Sequence, residues 1–210
     1  MKGQFLPYKD ENPAHRFPLV TTALIILNVA VFLWSLTDFE ATIGTWGFTP
    51  ADFVLLTLLT SMFLHGGIDH IFGNMLFLHI YGDNVEDRLG RLPYLAFYLV
   101  AGLAAALTHY VTDPTSLVPT IGASGAISGV LGAYLVLFPH VKVRTLVGTG
   151  FFFRQVRLPA YVLIGFWFLL QLVFGTVSLV GGVGSGIAFF AHIGGFAFGY
   201  LVVRVATWLR

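Results

Sequence analysis

The stretch GASGAISG, residues 122–129, runs into VLGAYLVLF and stops at Pro139. Three glycines and two serines with no charge are poor material for the interior of a water-soluble helix. Between membrane helices the same small residues have a use, because they let backbones approach closely. Ser124, at the lip of this run, can be a helix cap, a packing residue or a nucleophile. The rest of the chain decides between them.

Of the 210 residues, 57% are hydrophobic and only 10% charged, with a mean hydropathy of +0.84. Soluble domains carry about 25% charged residues, so this composition belongs to a membrane protein. A helix crossing the hydrocarbon core needs about 20 apolar residues. Six segments qualify: 18–37, 56–82, 92–111, 122–138, 159–180 and 184–207. The expectation is an all-α, polytopic six-helix membrane domain over residues 18–210, preceded by a short polar tail at 1–17. The chain has no cysteine, which excludes disulfides, thiolate metal sites and a cysteine nucleophile.

All eleven basic residues fall at alternate ends of the apolar segments, on one side of the expected membrane. Lys2, Lys9 and Arg16 precede the first segment, and Arg88 and Arg91 follow the second. Lys142, Arg144, Arg154 and Arg157 separate the fourth from the fifth, and Arg204 and Arg210 end the chain. The positive-inside rule then puts both termini in the cytoplasm of a multi-pass protein of the plasma or inner membrane. The net charge of +1 carries no argument for a nucleic-acid partner. The expected surroundings are membrane lipid.

Polar side chains at membrane depth are costly and mark functional sites. The second segment carries His65, Asp69, His70 and Asn74, the fourth Ser124 and Ser128, and the sixth His192. At a rise of 1.5 Å per residue, Ser124 lies about 21 Å, His70 about 19 Å, His192 about 18 Å and Asn74 about 13 Å above the cytoplasmic face. All four share one slab of a core about 30 Å thick. Gly125 and Gly129 form one small-residue stripe, and Ala191, Gly195 and Gly199 another. If the stripes face each other, Ser124 and His192, each one position away, come within hydrogen-bonding reach.

A serine becomes a nucleophile when a base takes its proton, and histidine is the usual base near neutral pH. Acyl transfer also needs donors aimed at the developing oxyanion. The backbone N–H of Ser124, unpaired at a helix start, is one candidate. The Asn74 amide and a His70 ring N–H are two more, on one face of the second segment. These residues supply nucleophile, base and oxyanion hole without a carboxylate.

The motifs HIFGN at 70–74, GASG at 122–125 and AHIGGFAFG at 191–199, in that order on the second, fourth and sixth of six segments, resemble the rhomboid intramembrane serine proteases. The resemblance covers essentially the whole chain. It implies Ser124 as nucleophile, His192 as base, and His70 with Asn74 as the oxyanion-stabilising pair. His65 resembles a family histidine that supports the outer end of the second helix. Residues 38–55 resemble a first loop lying partly in the membrane, and 159–180 the helix on the substrate entry side. Implied substrates are single-pass transmembrane proteins cut near the outer face, with neither cofactor nor metal required.

Two positions depart from the family pattern. The aromatic residue often found four after the nucleophile, packed on the base, is Ser128 here. Phe189 or Phe196 is the expected substitute, and a ring at 128 should be tolerated if the gap between the fourth and sixth helices admits it. The loop segment TWGFTP, residues 45–50, has Trp46 without a following arginine.

Other readings remain. A proteolytically inactive relative acting as a binding or quality-control module would keep the fold and lose Ser124 or His192. A transporter would need a polar path to both faces, whereas these polar residues cluster in the outer half. His65 and Asp69 are four apart, as a metal pair could be, but two ligands on one helix are weak grounds for a metal site.

Overall fold

The computed structural model describes residues 3–149, 152–181 and 187–209. Its helices are α1 (Leu19–Ser35), α2 (Phe39–Trp46), α3 (Thr57–Thr60), α4 (Ile68–Leu89), α5 (Arg91–Thr112), α6 (Ser124–Leu137), α7 (Ala160–Gly181) and α8 (Phe189–Trp208). The strands are β1 (Gly3–Asp10), β2 (Lys142–Thr149) and β3 (Phe152–Pro159). Among the described residues, α5, α7 and α8 are long and apolar enough to cross a membrane, while α1 and α6 are shorter apolar helices.

The small-residue run builds the centre of the molecule. Every residue of α6 from Gly125 to Tyr134 is buried. A side chain on Gly125 or Gly129 would run into Ala105 or Ala101 of α5, and one on Gly195 or Gly199 into the backbone of Gly125 or Gly129. The stripes therefore face each other, and α6 is clasped between α5 and α8 with backbone against backbone. Dispersion contacts at this range, rather than hydrophobic burial, hold helices together in hydrocarbon. With 14 residues, α6 rises only about 21 Å, short of a full core thickness. Its first residue thus starts within the fold rather than at its end.

The expected second segment is not one helix. Residues 57–60 form α3, 61–63 a 3₁₀ turn, and α4 begins only at Ile68. The Gly66–Gly67 pair breaks the run, and His65 lies in that break, preceding α4. Residues 38–55 contain α2, capped by the Asp38 carboxylate accepting from the Ala41 N–H. Phe48, fully buried, pairs through its backbone with Thr120, which rests this loop on the approach to Ser124. The expected sixth segment began at 184; α8 begins at Phe189, and 182–186 lie outside the described residues.

The all-α expectation is corrected by a three-stranded antiparallel sheet in the order β1-β2-β3. The supposed polar tail supplies β1, with Asp10 opposite Val143, and β2 forms a hairpin with β3, with Lys142 opposite Pro159. The residues KVRTLVGT at 142–149 are rich in β-branched types suited to a pleated surface. A window long enough to find membrane helices averages such short runs away.

Polar contacts fasten the sheet to the helices. Glu11 pairs with two arginines, accepting a hydrogen bond from Arg144 Nε at 2.9 Å and forming an ion pair with Arg157 Nε at 3.3 Å. The buried Asp10 carboxylate accepts from Tyr134 Oη of α6 at 2.6 Å and from Asn84 Nδ2 of α4 at 2.9 Å. Asn12 Nδ2 donates to Asn84 Oδ1. Nearby, the Glu86 carboxylate accepts the Val20 and Thr21 N–H groups at 2.9 and 2.7 Å. It thereby satisfies orphan donors at the start of α1.

Candidate active site

Gly122 sets the entrance to α6. Its φ of +124° is one that side-chain-bearing residues rarely adopt, and a Cβ there would meet His70 Nε2 at 2.8 Å. Backbone conformation and close approach both demand glycine. The Gly122 N–H is held by the Ser61 carbonyl at 2.9 Å. Two residues later Ser124 opens α6, where backbone N–H groups lack intrahelical partners.

His192 lies in the first turn of α8, and its Nε2 is 2.8 Å from Ser124 Oγ. The juxtaposition follows from the packing of α6 on α8. Gly195, three residues beyond His192, abuts Gly125, one residue beyond Ser124. The His192 ring is anchored on its other side too: Nδ1 is 2.8 Å from Gln171 Oε1 of α7. The Trp167 ring, one turn earlier on α7, has its centroid 6.0 Å from that of His192, at 38°.

His70 and Asn74 join the same cavity, a space of about 470 Å³ lined also by Ser124, His192 and Asp69. His70 Nδ1 accepts the Gly66 N–H at 3.3 Å, so Nε2 is the ring nitrogen that carries the proton on the Gly122 side. Asn74 Nδ2 donates to the His70 carbonyl at 3.0 Å, and a carboxamide has a second N–H to give. His65 is fully buried with its ring edge-on to His70, centroids 5.1 Å apart. Among the described residues no group of three or more His, Cys, Asp or Glu is placed to hold a metal ion.

Ser124, His192, His70 and Asn74 are thus brought to one cavity from three helices. The pairing of a hydroxyl with an imidazole permits proton transfer from Oγ to Nε2 as the oxygen attacks an electrophile.

The substitutes expected for the missing aromatic are elsewhere. Phe196 stacks on Phe168 at 4.1 Å, and Phe189 lies against Phe174. Ser128 is 1% exposed and donates from Oγ to the Ser124 carbonyl at 2.6 Å. The contacts to the His192 ring come instead from α7, through Gln171 and Trp167. Both were visible in the sequence: WFLLQ, residues 167–171, puts an indole and a carboxamide one helical turn apart in an otherwise apolar run.

Residues 52–208 match the family model of the Rhomboid domain. Rhomboid protein 1, mitochondrial, of Saccharomyces cerevisiae is 33% identical over 132 residues, 60% of this chain and 38% of that protein. The chain therefore spans well under half the length of that relative. The putative rhomboid protease YdcA of Bacillus subtilis is 28% identical over 198 residues, 90% of each chain. The rhomboid protease AarA of Providencia stuartii is 28% identical over 232 residues, covering 96% of this chain and 78% of that one. A match over so much of the length, on a chain of apolar helices, makes this protein a member of the rhomboid family.

Proposed function

We propose that the protein is an intramembrane serine endopeptidase with Ser124 as nucleophile and His192 as general base. The observation that carries this reading is the 2.8 Å approach of Ser124 Oγ to His192 Nε2 inside a cavity. That distance suits proton transfer. As Oγ bonds to the scissile carbonyl carbon, its proton passes to Nε2 and the carbonyl π electrons move onto oxygen. The oxyanion is met by the Ser124 N–H, the His70 Nε2–H and the Asn74 amide. Collapse expels the amine, which takes the proton from Nε2. A water molecule then repeats the sequence on the acyl-enzyme, releasing the acid and restoring Ser124.

Six membrane spans within residues 18–210, with both termini cytoplasmic in the plasma or inner membrane, fit the distribution of basic residues. In that orientation the cavity opens in the outer half of the bilayer. The substrates are then single-pass transmembrane proteins, cut near the outer face where a helix can unwind into the cavity. An inactive, binding-only relative is the weaker reading, because it would be expected to lose Ser124 or His192, and this chain keeps both.

Labelling with a fluorophosphonate probe, followed by mapping of the modified residue, tests the proposal. Ser124 should be labelled in the wild type, and Ser124→Ala and His192→Ala should each abolish cleavage of a model transmembrane substrate. Labelling that survives Ser124→Ala would refute the nucleophile.

A further inference from the structure

A histidine can accept the proton of a serine only through a bare nitrogen. Neutral imidazole exists as two tautomers, and the group bonded to one nitrogen decides which form is present. At Nδ1 of His192 that group is the Gln171 carboxamide, which could present either its oxygen or its nitrogen. The oxygen faces Nδ1 at 2.8 Å, while Gln171 Nε2 is directed toward the Trp167 carbonyl, 3.5 Å away. With oxygen as acceptor the proton resides on Nδ1, and Nε2 is bare toward Ser124. The reversed amide would put a donor against Nδ1, force the proton onto Nε2 and disable the base.

We propose that Gln171 is a positioning residue for His192, holding it in the Nδ1–H tautomer with Nε2 aimed at Ser124 Oγ. It does so from α7, so the competence of the base depends on how α7 is seated. The inference rests on the assignment of Ser124 and His192 as nucleophile and base.

The geometry around α7 favours a role beyond filling space. The face carrying Trp167 and Gln171 turns to the base, and Gln171 is buried. Phe166, Leu169, Val173 and Val177, on the remaining surface, are exposed. A buried glutamine needs a partner in any case, but a backbone carbonyl or a serine would satisfy it equally well. Here the partner is the base itself. A carboxamide orients the ring as the aspartate of a catalytic triad does, without lending it charge. Its removal should therefore cost less than the roughly 10⁴-fold loss seen when that aspartate presents the wrong tautomer.

The test compares Gln171→Leu, which keeps the volume and removes the acceptor, with Gln171→Glu, which keeps an acceptor oxygen. For each variant and the wild type, kcat and KM on a transmembrane substrate, the rate of fluorophosphonate labelling at Ser124 and Tm are measured. Gln171→Leu should lower kcat and the labelling rate together by roughly 10- to 100-fold, with KM and Tm close to wild type. Gln171→Glu should recover both rates to within a few-fold. A leucine variant labelled as fast as wild type, with unchanged kcat, overturns the proposal. So does equal loss of activity and Tm in both variants, which would mark a purely structural glutamine. A wild-type protein that is not labelled at Ser124 defeats the underlying protease reading instead, whatever Gln171 does.

Discussion

Gly195 of α8 and Gly125 of α6 touch backbone to backbone, and a methyl group on Gly195 would overlap the Gly125 carbonyl oxygen. The contact lies three residues from His192 and one from Ser124, so it sets the separation of these two side chains. Gly195→Ala should push α8 away from α6. Overpacking of this kind costs about 1–3 kcal/mol, and a shift of even 1 Å at the dyad should reduce kcat by about 10²-fold. Gly165→Ala on α7, where a Cβ meets nothing within 4 Å, is the matched control and should leave Tm and cleavage unchanged. Paired Tm and cleavage assays check this, and full activity in Gly195→Ala would refute it.

Asn74→Ala should act on turnover. An oxyanion donor strengthens its bond only in the transition state, so kcat falls while KM stays near its wild-type value. Losing one such donor in a soluble protease costs about 2.7–4 kcal/mol. Here the loss should be smaller, about 10- to 100-fold in kcat, because His70 Nε2–H and the Ser124 N–H remain. Steady-state kinetics decide it: an unchanged kcat with a raised KM contradicts the role.

Ser128 tests the packing around α6. Its hydroxyl bonds the Ser124 carbonyl, an acceptor that also serves the helix, so Ser128→Ala should cost no more than about 1 kcal/mol and retain most activity. Ser128→Phe is expected to lower both Tm and activity, since the site is 1% exposed and leaves no space for a ring. Tolerance is expected only if the gap between the helices admits a ring, and the burial of Ser128 argues that it does not. A fully active, fully stable phenylalanine variant would show that the helices around α6 can part without loss.

The docking of β1 should depend on pH. Burial pushes the Asp10 carboxyl up to about 6 from its usual 3.8, the charge of Asp83 adds to this, and the hydrogen bond from Tyr134 opposes it. Between those values the folded state binds more protons than the unfolded one, so stability falls as pH rises from about 4 through 6. The contribution, at most about 3 kcal/mol, is fully present below pH 4 and lost above 6. Asp10→Asn, which cannot ionise, should flatten this dependence and be the more stable protein at pH 7. Thermal melts at pH 5 and pH 7 measure it; parallel wild-type and Asp10→Asn curves would contradict the assignment.

What could be read from the sequence follows from how each feature is encoded. The apolar runs that become α5, α7 and α8 are long and continuous, and Gly125, Gly129, Gly195 and Gly199 recur at the helical period. Helix depth and helix pairing therefore brought Ser124 and His192 together without coordinates. The break at Gly66–Gly67 was harder to see, because apolar residues on either side bridge it. The sheet was hidden because its strands are eight residues long and two of them are paired across more than 130 positions. Gln171 escaped notice for another reason. It carries no charge, so a reading keyed to ionisable residues at membrane depth passes over it, although its carboxamide lies against the His192 ring.

The junction of β3 and α7 gives α7 a fixed foot. The Ala160 N–H bonds the Val141 carbonyl at 2.8 Å, the Tyr161 N–H bonds that of Pro139 at 3.0 Å, and Ala160 is fully buried. A helix pinned at one end moves as a lever about that end. Gln171 lies eleven residues along the arm, about 16 Å from the pivot. A tilt of about 10° therefore sweeps its carboxamide through roughly 3 Å, enough to separate it from His192. The turn of residues 139–141, between α6 and β2, thus serves as the fulcrum for the arm that reaches His192.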